Sequence, residues 1–264
     1  MADDAVLLDI EDDVATVTLN RPDVRNALTH DVAGGIIDAL DEIEESDARC
    51  LVIQGTGGAF CAGGDINAMM KGLNGEYSLA EREQLIVQRT SRAVKHVAQF
   101  HLPTIAKIDG VAFGAGANLA IACDILLATE DSKISFGFRQ VGLTVDSGTS
   151  YLLPRIVGQN TAQELVLTGE LVDADRAEDL GLFNHVYDES DFDEEVAEFV
   201  EEIATGPSVA LRASKRLLRQ GMEQSLDQAI TNEAAAQVAC FSTDDHVEGA
   251  TAFMEKRSPE FTGE

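Results

Sequence analysis

Between Phe136 and Arg155 the chain reads FGFRQVGLTVDSGTSYLLPR, an apolar and small-residue run that holds one acid, Asp146. A carboxylate stripped of water holds its proton more tightly, which suits it to take and return a proton near neutral pH. The same residue, standing before SGTSYLL, also suits a helix N-cap, and spacing alone leaves both readings open. Two glycine-rich turns offer complementary chemistry: GGAFCAGGDI after CLVIQG, and GVAFGAGANLA after TIAKID. Glycine lets backbone approach a ligand, and a helix opening from such a turn presents free N–H groups. One N–H from each turn on a single oxygen makes an oxyanion hole, where each donor contributes on the order of 3 kcal/mol to a transition state gathering negative charge. Tight turns between packed elements are the plainer account of the same glycines.

Other chemistries find less support. GAGAN lacks the third glycine and the downstream acid of a dinucleotide fingerprint, and no GK[ST] phosphate loop occurs. His30, His96, His101, His185 and His246 are scattered without ligand spacing, as are Cys50, Cys61, Cys123 and Cys240, so the expectation is no metal and four reduced thiols packed as small apolar groups. Ser147 and Thr149 have no histidine partner for a nucleophile triad. Asp65 reads as a turn residue that bonds its own loop.

The elements that must position these groups follow from hydrophobic pattern. AVLLDIEDDVATVTLN predicts two strands joined at Glu11 to Asp13, the second alternating in period two. Thr29 caps a predicted helix through HDVAGGIIDALDEIEE, and CLVIQG is a buried strand. A helix from about Ser78 to about Phe100 precedes the strand TIAKID; after the second glycine-rich turn come a short apolar helix and the strand DILLAT. Strand, strand, helix recurs, which predicts layered α/β structure. After Asp188 the β signal ends and four amphipathic helical segments follow, interrupted at Gly206-Pro207. We divide the chain into 1–204 and a helical region 205–264 that packs on the body or on a neighbouring subunit.

Composition narrows the setting. The 264 residues are 45% hydrophobic, enough for a substantial core. Forty-seven acids against 19 bases, six of them lysine, give a net charge of −28. Such a surface repels nucleic acid and anionic membranes. Its self-repulsion reaches roughly 10 Å at ordinary ionic strength and roughly 3 Å in molar salt, so a halophilic, salt-rich cytoplasm is expected. No run has the ~20 apolar residues of a membrane span, and no basic-plus-apolar leader is evident.

Five segments, LNRPDVRNALT, AFCAGGDI, DGVAFGAGANLAIACDI, GLTVDSGTSYLLPRIVG and EGATAFMEKRSPEF, resemble in order and spacing the enoyl-CoA hydratase/isomerase (crotonase) family, over nearly the whole chain. Within it the GLTVDSG…LPR segment and the C-terminus look most like the epoxyphenylacetyl-CoA isomerase type. The resemblance implies an α/β spiral of ββα units with a C-terminal helical trimerisation region, assembling as a homotrimer or a dimer of trimers. It implies acyl-CoA substrates, with coenzyme A part of the substrate and no further cofactor, in fatty-acid or phenylacetate metabolism. It places the oxyanion donors on the N–H groups of Gly64 and Ala115, where many relatives have glycine at the second. It places coenzyme A contacts at Arg25, Ala27, Ala62, Asp65 and Ile66, and at Phe253 and Lys256 reaching a neighbouring subunit's ligand, and it puts Asn118 at a substrate-side position; Tyr151, read from its place in the segment alone, is a candidate for the acyl pocket or for plain core packing.

The family's hydratases use two glutamates, and those positions hold Asn118 and Gln140. Neither amide exchanges a proton near pH 7, whereas general acid–base transfer usually contributes ~10²–10⁴-fold. Asp146 matches the aspartate base of the isomerase type. The expected activity is therefore an acyl-CoA isomerase that shifts a C=C bond, or rearranges a ring epoxide, through one carboxylate and an oxyanion hole. Hydration of 2-enoyl-CoA, a lyase reaction, and non-catalytic binding of CoA ligands are the alternatives.

Overall fold

A computed structural model describes residues 4–264, so the first three residues of the 1–204 unit lie outside the described residues. The strands are β1 (Val6–Glu11), β2 (Val14–Leu19), β3 (Cys50–Gly55), β4 (Thr104–Ile108), β5 (Val111–Phe113), β6 (Ile125–Thr129), β7 (Lys133–Ser135), β8 (Val172–Asp173) and β9 (His185–Tyr187). In the body the helices are α1 (His30–Ile43), α2 (Ile66–Leu73), α3 (Leu79–Leu85), α4 (Ser91–Gln99), α5 (Ala115–Ala122), α6 (Thr149–Val157), α7 (Gln159–Thr168), α8 (Ala174–Asp179) and α9 (Phe192–Ala204). Three more close the chain: α10 (Ser208–Gly221), α11 (Leu226–Cys240) and α12 (Asp244–Glu255).

β1 and β2 form the predicted hairpin, with Asp12 and Asp13 left-handed at the turn. In β2 the residues Ala15, Val17 and Leu19 are buried and alternate with partly exposed neighbours, as a period of two requires. From β2 onward the large sheet is parallel, in the order β1-β2-β3-β4-β6-β9. Strands β2, β3, β4 and β6 each run on into a short segment of a second layer. Leu28 bridges Gly64, Cys61 bridges Ala112, β5 pairs with β7 and β7 with β8. A helix then returns the chain to the large sheet, which is the crotonase-like spiral of ββα units.

The main core fills the space between the layers and α1, α4 and α5, around Phe60, Phe100, Phe136 and Phe183. On the other face of the sheet α9 lays Phe192, Val196, Val200 and Ala204 over Cys50, Val52, Ile105 and Leu127. Thr29 caps α1 as expected, accepting from Val32 N at 3.3 Å. The single helix expected over Ser78–Phe100 is present as one continuous helical run, in which α3 passes into α4 through a wider π turn, Ile86–Thr90. Three β-branched residues, Ile86, Val87 and Thr90, occupy that turn, and such residues fit a regular helix less well. Cys50, Cys61 and Cys123 are buried and Cys240 half-buried, all free; burial pushes the Cys50 and Cys61 thiols up to about 12. No described helix is long and apolar enough to cross a membrane.

Candidate active site

The first glycine-rich turn is built against the RPDVRNAL loop. Arg25 and Asn26 are both left-handed, and the fully buried Asn26 amide ties the loop down by donating to Thr56 O and Ala59 O, both at 2.8 Å, and accepting from Arg21 N at 2.8 Å. Ala62 N donates to Arg25 O at 2.9 Å and Leu28 N to Gly63 O at 2.7 Å. Arg25, Ala27, Ala62, Gly64, Asp65 and Ile66 are thereby brought to one edge. Asn26 was not anticipated from sequence; its signal is that asparagine tolerates left-handed backbone better than most residues.

The two turns touch. Cys61 N donates to Val111 O at 3.1 Å and Phe113 N to Cys61 O at 2.9 Å. Gly63, with φ 95°, passes so close that a Cβ there would stand 2.5 Å from Phe113 O and 3.5 Å from Ala115 N. Gly114 takes φ 55°, ψ −118°, a conformation open essentially to glycine alone, and this swings the chain into α5. Gly64 and Ala115 each directly follow one of these positive-φ glycines. Among the described residues neither N–H has an acceptor. Ala115 is the buried first residue of a regular helix, so the turn accommodates its Cβ.

Asp146 lies across from α5. The capping reading does not hold: α6 starts at Thr149 behind Gly148, and no side chain caps it. The Asp146 Oδ1 atom is buried with no hydrogen-bond partner among the described residues. Burial pushes this carboxyl above its ordinary value, against the smaller pull of the Ser147 hydroxyl. The residue after it, Ser147, is left-handed at φ 45°, and its hydroxyl meets that of Ser91 at 3.2 Å. A non-glycine residue in this region costs on the order of 1–3 kcal/mol and persists where its surroundings impose it.

Two expectations, at Asn118 and Tyr151, need correction. Asn118 is 0% exposed, with its amide bonded to Asp146 O at 3.0 Å and to the Thr149 hydroxyl at 2.6 Å; it supports the loop and cannot face a ligand. Asp65 bonds its own loop, as its turn reading anticipates, its carboxylate capping α2 by accepting from Asn67 N at 2.8 Å and Ala68 N at 3.2 Å. Tyr151 does not join Asp146: its hydroxyl bonds Glu223 and its ring lies 3.5 Å under the Arg155 guanidinium. Phe253 and Lys256 sit at the exposed end of α12, Phe253 82% exposed, and the chain by itself does not fold them onto the other site residues. Gln140, the second hydratase position, donates to Gly169 O at 3.0 Å.

Comparison with known proteins agrees with this architecture. A family model described as enoyl-CoA hydratase/isomerase matches residues 9–264. The 1,2-epoxyphenylacetyl-CoA isomerase of Escherichia coli K12 is 33% identical over 260 residues, 98% of each chain. The crotonyl-CoA hydratase of Syntrophomonas wolfei is 35% identical over 266 residues, 99% of each chain. Among solved structures, a putative enoyl-CoA hydratase from Streptomyces coelicolor A3(2) superposes with a TM-score of 0.92 at 36% identity, over 98% of this chain and 94% of that one.

Proposed function

Because the chain belongs to the enoyl-CoA hydratase/isomerase family, we propose that it is an acyl-CoA isomerase with Asp146 as its single proton shuttle. The thioester oxygen accepts from the N–H groups of Gly64 and Ala115. Asp146 removes a proton from one carbon of the acyl chain, the electron pair spreads through the C=C bond into the thioester oxyanion, and the acid returns the proton two carbons away. The double bond moves, and nothing is added or lost. The observation that carries this reading is the Asp146 Oδ1 atom, buried and without a hydrogen-bond partner among the described residues. The relative named for an epoxyphenylacetyl-CoA substrate supports extending the reaction to a ring epoxide.

Coenzyme A runs along the edge formed by Arg25, Ala27, Ala62 and Ile66, held mainly through backbone groups. The exposed apolar side chains of the last three helices, among them Leu218, Leu226, Val238 and Phe241, support assembly as a homotrimer or dimer of trimers through region 205–264. In that assembly Phe253 and Lys256 reach a neighbouring subunit's coenzyme A.

Hydration remains a second reading because a relative 35% identical is named a crotonyl-CoA hydratase. The test is to supply crotonyl-CoA and a 3-enoyl-CoA separately. Isomerase action converts the 3-enoyl thioester to its conjugated form and leaves crotonyl-CoA absorbance unchanged. Rapid loss of that absorbance, with the 3-enoyl thioester untouched, overturns the isomerase reading.

A further inference from the structure

We propose that Asn118 and Thr149 form a positioning pair that holds the Asp146 loop at a fixed offset from the oxyanion donor at the start of α5. The inference rests on the isomerase reading above and adds to it the means by which base and oxyanion hole keep register. α5 begins with Ala115, and one turn further on, about 5 Å along the axis, it carries Asn118 on the inside of the protein. The Asn118 Nδ2 group donates to the carbonyl of Asp146 itself, at 3.0 Å. Thr149 Oγ1 lies 2.6 Å from Asn118 Oδ1 and 2.9 Å from Asp146 O. A hydroxyl has one proton to give, and the shorter contact takes it. Thr149 N also donates to Asp146 O, at 3.0 Å.

The Asp146 carbonyl is thus grasped from α5 on one side and from α6 on the other, while the Oδ1 atom of its carboxylate is left free among the described residues. Immediately beyond it Ser147 and Gly148 are both left-handed, at φ 45° and φ 92°. Without cross-links this stretch would relax toward commoner backbone angles and carry Asp146 with it. Asn118 therefore acts through Asp146 and touches no ligand.

The test uses Thr149→Val, which keeps the shape and removes the hydroxyl, and Asn118→Ala, which reads the same couple from α5. Each is measured alone and in an Asp146→Asn background, with Thr149→Ser as the conservative control. Misplacing a catalytic group by an ångström or less costs ~10–100-fold, so each single variant should lose about that in kcat with KM within ~2-fold. Thr149→Ser should stay within ~2-fold of the parent. In the Asp146→Asn background the further loss should fall below ~2-fold, because residues acting through one group are non-additive. Parental turnover in both variants overturns the proposal, and so does a loss of equal size with and without Asp146. Failure of both variants to fold also counts against it, because the pair would then be part of the fold itself. If Asp146→Asn alone keeps full turnover, the isomerase reading has failed; if it abolishes turnover while Thr149→Val does not, only the positioning pair has.

Discussion

Two aspartates, 22 positions apart, are treated in opposite ways. Asp124, at the junction of the large sheet and α10, is saturated. Its Oδ2 accepts from Thr104 N and Oγ1, both at 2.8 Å, and pairs with Lys215 at 2.5 Å, while its Oδ1 takes Arg219 at 2.9 Å. Asp146 lies in a loop anchored by its own carbonyl, which accepts from Asn118 Nδ2 and Thr149 N, yet among the described residues its Oδ1 meets nothing. In a chain with 19 bases among 47 acids, two cations are concentrated on one carboxylate and none is given to the other. The first arrangement docks a helix. The second keeps a proton acceptor free, and the comparison teaches that the site is marked by what is withheld from it.

The sharpest way to break that contrast is to neutralise each acid in turn. Asp146→Asn should lower isomerase turnover by ~10²–10⁴-fold with little change in affinity for a CoA ligand. Turnover kinetics beside calorimetric titration of that ligand read the two quantities, and near-normal turnover would dissolve the distinction. The parent's kcat/KM should also rise with pH as the raised Asp146 carboxyl ionises, because only the ionised form accepts a proton.

Asp124→Asn should act on stability. It leaves Lys215 buried without its counter-ion, although burial already pulls that ammonium below its ordinary value. Removing one member of a buried pair costs on the order of 3 kcal/mol. Denaturant unfolding should register that loss, and hydrogen exchange should show α10 opening before the sheet. Unchanged exchange in α10 would mean that the apolar contacts hold the helix without the pair.

The contrast between these acids was only half legible in the sequence. Period-two alternation located β2, short apolar runs β3 and β4, and helical spacing the last three helices, because those signals are local to each segment. The glycine-rich turns were equally plain, and Asp65 already read as a residue bonding its own loop. Asp146, however, fitted a cap as well as a base until resemblance to the family tipped the reading. What separates the two roles is a set of bonds between residues distant in the chain. Asn118 reaches Asp146 across 28 positions and Arg219 reaches Asp124 across 95, and no spacing rule encodes either. Tyr151 was misplaced for the same reason: its direction is set by Glu223, 72 residues away.

Salt should separate surface repulsion from the Asp124 docking. Raising KCl from near zero to molar shortens the reach of charge from tens of ångströms to roughly 3 Å, which relieves the excess of exposed acids. The melting temperature of the parent should rise by several degrees. Asp124→Asn should rise in parallel, because the Lys215 ammonium is only 9% exposed and such a pair is screened far less than the surface. A melting temperature that falls steadily with KCl contradicts a chain adapted to salt, and convergence of the two proteins at high KCl would place Asp124 among the screened surface charges.

The smallest expected effect concerns stability at Asp146 itself. A carboxyl held above its ordinary value by burial binds its proton more tightly folded than unfolded. Over the interval between those two values the folded state carries more protons, so stability falls as pH rises through it. At neutral pH the parent therefore bears the cost of an ionised, partly dehydrated group, and Asp146→Asn removes that cost. The variant should melt slightly above the parent at pH 7, with the gap closing as pH drops to the ordinary carboxylate range. Asp124→Asn should show no such gain at any pH. An Asp146→Asn protein less stable than the parent at pH 7 would mean that the carboxylate has a partner in solution, and the two aspartates would then differ in degree only.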